Sequence, residues 1–267
     1  MKIDFISNDD LTRIGHLQPL GWSDIISEFN FYISSKFCYP IKVTENNKIV
    51  GIGCSIIFGN SGWLAHIIVD ENFRGKGIGA TIVQNLLDII KSQGVKTNLL
   101  IATAMGLPLY QNFGFRIVTD YIFMQRTSAA DQQQVSPNII AYKDEFRNEI
   151  LRMDKKVCGE DRSLLIEEQL VNSFIFSNNG KISGFYVPTL KEGPIIATDV
   201  ESGIELMRFK YFNKGKAVLP SNNQAGINFL KIFGFEITNT VGVRMILGDD
   251  IEWIPENIFS RIGGNFG

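Results

Sequence analysis

One stretch constrains this chain more than any other: Trp63 to Leu87, where an unbroken apolar run gives way through clustered glycines to a helical pattern. Ile67, Ile68 and Val69 are β-branched and continue Trp63-Leu64-Ala65-His66, which predicts a buried strand. Ile78, Ile82, Val83, Leu86, Leu87 and Ile90 recur at helical spacing, which predicts a helix. The segment Arg74-Gly75-Lys76-Gly77-Ile78-Gly79-Ala80 therefore falls where a strand turns into a helix. The first N–H groups of a helix have no internal partner and the helix dipole adds partial positive charge, so such a junction favours an anion such as phosphate. Gly75, Gly77 and Gly79 clear side chains away from those amides, and Arg74 and Lys76 add full charge. A tight turn with no ligand uses the same residues, so the glycines alone leave both readings open.

Two rival phosphate loops fail on context. Gly75-x-Gly77-x-x-Ala80 formally fits the dinucleotide fingerprint. That fold, however, puts its first glycine at the strand end and an acidic residue roughly 20 residues on. Here Asp70 to Phe73 intervene, and the next strand runs out through Leu100, Ile101, Ala102 and Thr103 without a carboxylate. The Walker loop needs Lys-Ser or Lys-Thr after its glycines, and neither follows.

The spacing Arg74, Gly77, Gly79 resembles the coenzyme A loop of the GCN5-related N-acetyltransferase (GNAT) superfamily. A second stretch, Ala102-Thr103-Ala104-Met105-Gly106-Leu107-Pro108-Leu109-Tyr110-Gln111-Asn112-Phe113-Gly114-Phe115, is similar to the later signature of that superfamily. More narrowly, it resembles a bacterial subfamily that carries a distinctive C-terminal extension, although Ile101 stands where that subfamily has an acidic residue. The resemblance implies acetyl-CoA as co-substrate and no metal. It implies cofactor contacts from Ile67, Ile68, Val69, Arg74, Gly75, Lys76, Gly77, Ile78, Gly79, Ala80, Thr103, Gly106 and Tyr110. It also implies direct attack of a small-molecule amine on the thioester in a ternary complex. A phenol with pKa about 10 stays protonated at neutral pH, which makes Tyr110 the candidate acid for the departing thiolate. Counting back from Val69 in twos gives Ile67, Ala65 and Trp63, none of which accepts a proton. His66 lies on the other phase and reaches the site only if a bulge breaks the alternation, so the base stays open between His66, water and a carboxylate elsewhere.

The order of elements carries the fold class. Lys2 to Ser7 reads as an edge strand, Asn8 or Asp9 as the cap of a helix toward Leu17, and Ser23 to Ser34 as a second helix with Ile25, Ile26, Phe29 and Tyr32 on one side. Strands over 37–44 and 49–58 join through the polar turn Glu45-Asn46-Asn47-Lys48. After the Trp63 strand and its helix, Asn98 to Thr103 and Arg116 to Gln125 read as strands. Thr127 to Pro137 is polar and reads as a linker. Beyond it, helices over 145–155, 162–170, 200–211 and 223–232 alternate with strands over 174–176, 184–187, 195–197 and 217–219, before a closing strand. Ile232-Phe233-Gly234-Phe235 echoes Asn112-Phe113-Gly114-Phe115, so the second half reads as a repeat of the first. The repeat is degenerate: Thr198-Asp199-Val200-Glu201-Ser202-Gly203 stands in the loop position, and its carboxylates repel pyrophosphate. The expected fold is α/β (α+β), with two GNAT-like modules, 1–127 and 138–267, each a mixed, mostly antiparallel sheet flanked by helices.

With 267 residues, 45% of them apolar, the chain has ample core for two modules. A net charge of −2 gives no field for nucleic acid or an anionic membrane, and no apolar run approaches the roughly 18 residues that span a bilayer. Cys38, Cys54 and Cys158 are separated and without a C-x-x-C, which suits a cytoplasmic setting with buried thiols. With only His16 and His66, a histidine-based zinc site is excluded. The acceptor amine is expected in a cleft between the modules, where Asp161 and Arg162 could orient it, although Asp161 equally suits a helix cap. Oligomeric state is left open. The alternative to an enzyme is a non-catalytic acyl-CoA sensor.

Overall fold

The structure is a computed structural model that describes residues 1–128 and 135–267. The middle of the Thr127–Pro137 linker reading lies outside the described residues. The chain forms two compact units that interleave along the sequence. The first comprises Met1–Leu100, Pro108–Arg116 and Ile246–Asp249; the second comprises Ile101–Leu107, Ile117–Met245 and Asp250–Gly267.

In chain order the first elements are β1 (Lys2–Phe5), α1 (Ile25–Ser34), β2 (Cys38–Glu45), β3 (Lys48–Phe58), β4 (Ser61–Val69), α2 (Ile78–Ser92), β5 (Thr97–Ala102), α3 (Leu107–Asn112) and β6 (Arg116–Arg126). Strands β1 to β4 form an antiparallel meander, and β5 joins β4 in parallel after the α2 crossover. Asn46 and Asn47 both have positive φ, 49° and 63°, which gives the β2–β3 hairpin the backbone twist of a two-residue turn. The helix expected toward Leu17 forms instead as two 3₁₀ turns, Asn8–Arg13 and Gly15–Leu17. Neither Asn8 nor Asp9 caps it. Ser7 takes that place, and its N–H donates to Asp10, whose carboxylate also pairs with Lys42.

Helix α2 lies directly on the strands before it. A Cβ on Gly62 would sit 2.6 Å from Ile90 Cγ2, and one on Gly53 would sit 2.7 Å from Ile82 Cγ2. Glycine at these two positions lets the apolar face of α2, Ile78, Ile82, Val83, Leu86 and Ile90, reach the sheet fully buried. Gly94, with φ 77°, follows the helix end.

The second unit contains β7 (Ile139–Ala141), α4 (Arg147–Cys158), α5 (Ser163–Ile166), β8 (Phe174–Asn178), β9 (Lys181–Tyr186), β10 (Ile195–Ala197), α6 (Val200–Tyr211), β11 (Lys216–Pro220), α7 (Gln224–Ile232), β12 (Phe235–Ile237), β13 (Gly242–Leu247) and β14 (Ile258–Ser260), with the last residues of β13 belonging to the first unit. One sheet has the order β14-β10-β9-β8-β7. Within the same unit, β6 pairs antiparallel with both β11 and β12. A core of Phe176, Leu206, Met207, Tyr211, Leu219, Leu230 and Phe259 fills the unit together with Met124 of β6. The helix expected over 162–170 breaks into α5 and a 3₁₀ turn, Glu167–Asn172. Strands β7 and β14, three residues each, are too short to leave a periodic signal. Arg162 is buried and bonds Asp154 through Nε (3.2 Å) and Nη2 (2.6 Å), while Asp161 accepts from Ser163 Oγ at 2.7 Å. Arg162 therefore serves the core and stands at the N-cap position of α5, while Asp161 supports the same helix start through Ser163 and pairs with Lys155 at 2.9 Å.

Candidate functional site

Strand β4 contains the break in alternation that a role for His66 requires. Its register against β3 runs Ile52↔Ile68 and then Cys54↔Ala65, so three steps on β4 face two on β3. The extra residue falls at His66, whose φ is +47°. Up to that point, Gly62 faces α2 beneath Ile90; beyond it, Ile67 faces α2, because its Cγ1 would lie 3.5 Å from a Cβ on Gly53, beside Ile82. Regular alternation would put His66 on that helix-covered side. The bulge turns it instead toward α1, where its Nδ1 lies 2.6 Å from the Tyr32 hydroxyl. Trp22 and Phe29 meet the imidazole edge to face at centroid distances of 5.7 Å and 6.1 Å. Next to Trp22, a hollow of 460 Å³ is lined by Gln18, Pro19, Leu20, Gly21, Trp22 and Asp24.

The parallel ladder between β4 and β5 covers Ser61↔Thr97, Gly62↔Asn98 and Trp63↔Leu99, and ends there. Among the described residues, no ladder bond joins the rest of β4, including Ile67, Ile68 and Val69, to β5. The backbone on that edge is thereby left for an extended ligand to pair with. The far end of β4 is pinned by Asp70. Its N–H donates to Val50 O (2.9 Å), its Oδ1 accepts from Asn72 N (2.9 Å), and Lys48 Nζ lies 2.7 Å from its Oδ2.

The Lys48 ammonium and the Asn72 N–H hold the Asp70 carboxyl below its ordinary value of 3.8. A depressed carboxyl contributes stability that is complete above its unfolded pKa and is lost as pH falls through the folded one. Asp70→Asn should therefore flatten the acid limb of the thermal stability curve below pH 4 while costing stability at pH 7. Melting temperature against pH measures this; an unchanged acid limb would show that Asp70 does not couple to folding.

Beyond Asp70 the chain enters the glycine loop. Gly75 and Gly77 have φ of 76° and 81°, a backbone region that side-chain-bearing residues rarely adopt. Thr81 N–H donates to Gly77 O at 3.0 Å as the first bond of α2, so the amides of Ile78, Gly79 and Ala80 lie ahead of the ladder. Gly77 is the N-cap and offers no side chain to them. Nothing stands within 4 Å of a Cβ on Gly75 or Gly77, so the space in front of the amides is open. Gly79 is there for another reason, since a Cβ on it would lie 3.3 Å from Leu109 Cδ2 of α3 and 3.8 Å from Val69 Cγ2. The end of β4, the start of α2 and α3 thus converge at Gly79. Arg74 and Lys76 are exposed; Arg74 Nε donates to Val69 O at 3.3 Å, and Lys76 Nζ lies 4.6 Å from the Phe73 ring.

The start of α6 in the second unit is built the opposite way. Asp199 caps it, accepting from Ser202 N and Ser202 Oγ at 2.9 Å each, so the helix end already carries its own anion.

Tyr110 lies on α3 with its ring 6.1 Å from Phe115 and 9% of its surface exposed. Burial pushes its phenol up to about 12. Thr103 and Gly106 form the turn before α3, where Gly106 N–H donates to Thr103 O (3.0 Å) and meets Thr103 Oγ1 at 3.3 Å. Sequence reasoning missed Tyr32, Trp22 and Lys48. Tyr32 was legible only as part of the apolar face of α1, and nothing in the sequence sets its hydroxyl opposite a bulged histidine.

Sequence profiles agree with this geometry. The profile of the Acetyltransferase (GNAT) family matches residues 10–115, and a second Acetyltransferase (GNAT) domain profile matches residues 150–260. Glucosamine 6-phosphate N-acetyltransferase of Trypanosoma brucei brucei is 33% identical over 106 residues, which cover 40% of this chain and 59% of that protein. The [ribosomal protein bS18]-alanine N-acetyltransferase of Salmonella typhimurium is 24% identical over 121 residues, 44% of this chain and 82% of that protein. This chain thus spans about three fifths of the trypanosomal protein's length. A solved structure from Pyrococcus horikoshii matches 100% of this chain and 95% of its own, with TM-score 0.84 and 19% identity. A GCN5-related N-acetyltransferase from Sphaerobacter thermophilus matches 92% and 95%, with TM-score 0.65 and 13% identity. With a bulged β4, a released strand edge and an uncapped α2 in the first unit, and a second matching profile downstream, the chain belongs to the GNAT acetyltransferase family and carries two GNAT-like modules.

Proposed function

We propose that the protein transfers the acetyl group of acetyl-CoA to the amine of a small molecule by direct attack in a ternary complex. The observation that carries this reading is the pairing of an uncapped helix start, the amides of Ile78, Gly79 and Ala80 behind Gly77, with the β4 edge released after Trp63. The first suits the pyrophosphate, with Arg74 and Lys76 adding charge, and the second suits the amide-bearing arm that leads to the thioester. The Asp70 N–H points to β3, so the backbone N–H of Val69, one residue before it, lies on the released edge to meet the developing oxyanion.

Tyr110 is the group we assign to the departing sulfur. A phenol near 12 is protonated throughout the neutral range and can donate. Handing its proton completely to a thiolate of ordinary pKa about 8.5 would cost roughly 5 kcal/mol. Its role is therefore hydrogen-bond donation to sulfur as charge builds, with solvent supplying the final proton. An imidazole at His66 acts as base or as donor according to which nitrogen carries its proton.

The relatives' names point to different acceptors, a phosphorylated amino sugar and a protein alanine. The rings of Trp22, Phe29 and Tyr32 beside His66 are uncharged, and the segment Gln18–Asp24 contains Asp24 and no Lys or Arg, so this wall offers no cation to a phosphate. An uncharged or cationic body around the amine fits this wall better than a phosphate. The test is release of CoA thiol from acetyl-CoA against a panel of arylalkylamines, polyamines, glucosamine 6-phosphate and an alanine-ended peptide. Thiol release with the first two groups is the expected result. CoA binding without release for any amine would make the chain a sensor.

A further inference from the structure

We propose that Gln18 is a positioning residue for the acceptor amine: its side-chain amide holds the 19–23 loop in the shape that keeps the Trp22 indole against His66. This rests on the acetyltransferase reading above. The loop leads from the 3₁₀ turn Gly15–Leu17 to α1 and brings two large apolar side chains, Leu20 and Trp22, to the surface. Its turn closes where Trp22 N–H donates to Pro19 O at 3.3 Å around Gly21, whose φ is +78°. The Gln18 amide spans that turn. Nε2 lies 3.0 Å from Pro19 O, 3.3 Å from Trp22 O and 3.2 Å from Ser23 O, and Oε1 accepts from Ile25 N at 2.9 Å. Three carbonyls on one side and an N–H on the other fix which end of the amide is which. Among the described residues, no other side chain bonds to the backbone of 19–23.

The same amide completes the start of α1. Gln18 takes the N–H of Ile25, the Asp24 carboxylate takes those of Ile26 and Ser27, and Glu28 N–H donates to Asp24 O. Loop and helix are thereby joined into one piece, and this helix start, unlike that of α2, has its amides capped from within the chain. What the loop carries gives the joint its use. Trp22 meets the His66 imidazole edge to face at 5.7 Å and lines the 460 Å³ hollow together with Gln18 and Asp24. His66 directly precedes Ile67, Ile68 and Val69 on β4, so a ring set against it stands beside the route of an amine to the thioester. With the loop already held, an acceptor that packs on Trp22 does not have to order it, and that ordering cost is kept out of its affinity. Gln18 acts on the acceptor through Trp22 and takes no part in the chemical step.

Two measurements test this on the full-length protein. The first is ¹⁵N relaxation of the indole N–H groups of Trp22, Trp63 and Trp253, with Trp22→Phe assigning the signal of interest. Gln18→Ala should turn the Trp22 indole from an ordered into a mobile group and leave Trp63 ordered. Gln18→Glu should do the same, because a second oxygen in place of Nε2 meets three carbonyls with no N–H to offer them. The second measurement is kinetic and uses the amine that the parent acetylates best among the arylalkylamines, polyamines, glucosamine 6-phosphate and alanine-ended peptide. Gln18→Ala should raise the KM for that amine about tenfold, with kcat and the KM for acetyl-CoA within about twofold of the parent. Trp22→Ala should raise it at least as far, and adding Gln18→Ala to Trp22→Ala should change it by less than about twofold more, since the amide acts through the ring. Acetyl-CoA affinity serves as the folding control for every variant. A Trp22 indole that stays ordered in Gln18→Ala, an amine KM that does not change there, or effects that multiply in the double variant overturns the proposal. The relaxation data decide whether Gln18 holds Trp22 even if no amine is ever acetylated, so failure of the acetyltransferase reading would show separately, as absence of thiol release from the parent.

Discussion

Gly77→Asp should lower acetyl-CoA affinity by about 10³-fold, roughly 4 kcal/mol, while leaving the fold intact. Gly77 has φ 81° and stands as the N-cap of α2 with nothing in front of it. Aspartate tolerates that backbone region better than most residues and is itself a favoured N-cap, so the helix should not suffer. Its carboxylate would take the amides that the pyrophosphate needs and add a like charge beside it. The second unit already shows this end state, with Asp199 capping α6. Calorimetric titration reads the affinity, and the thermal midpoint should move by only a few degrees. Undiminished binding would remove the helix start of α2 from the cofactor site.

Tyr110→Phe should reduce kcat by about 10²-fold or more with acetyl-CoA affinity nearly unchanged. The substitution keeps the ring that packs on Phe115 and removes only the hydroxyl. A donor to a leaving thiolate helps most as charge develops, so the loss belongs to turnover and not to ground-state binding. Because burial holds the phenol at about 12, kcat of the parent enzyme should show no titration from Tyr110 between pH 6 and 9. If product release limits the parent enzyme, pre-steady-state thiol release exposes the chemical step directly. Parent-like chemistry in that assay would return Tyr110 to a packing role.

Much of the first unit was legible because strand, loop and helix follow different periodicities within thirty residues of one another. The turn at Asn46-Asn47, the β4 strand and the buried stripe of α2 fall where their patterns put them. The bulge was not legible. A β-bulge inserts one residue without changing composition, and Leu64-Ala65-His66-Ile67 reads as strand in either register. That single step carries His66 from the α2 side to the α1 side and creates its bond to Tyr32. The glycines illustrate the same limit from another direction. Gly77 answers to backbone conformation and open space, whereas Gly79 answers to the approach of Leu109, a residue thirty positions later. Local sequence cannot separate these two causes. In the second unit, the pairing of β6 with β11 and β12 depends on contacts distant in sequence, which periodicity does not encode.

The central claim is that one helix start, that of α2, holds acetyl-CoA, and that α6 holds none because Asp199 already occupies its amides. Calorimetric titration of the full-length protein with acetyl-CoA tests it most directly, through the number of sites per chain. The account predicts one site, absent in Gly77→Asp and retained in Asp199→Asn. Two equivalent sites per chain, or a single site that survives Gly77→Asp, would contradict it.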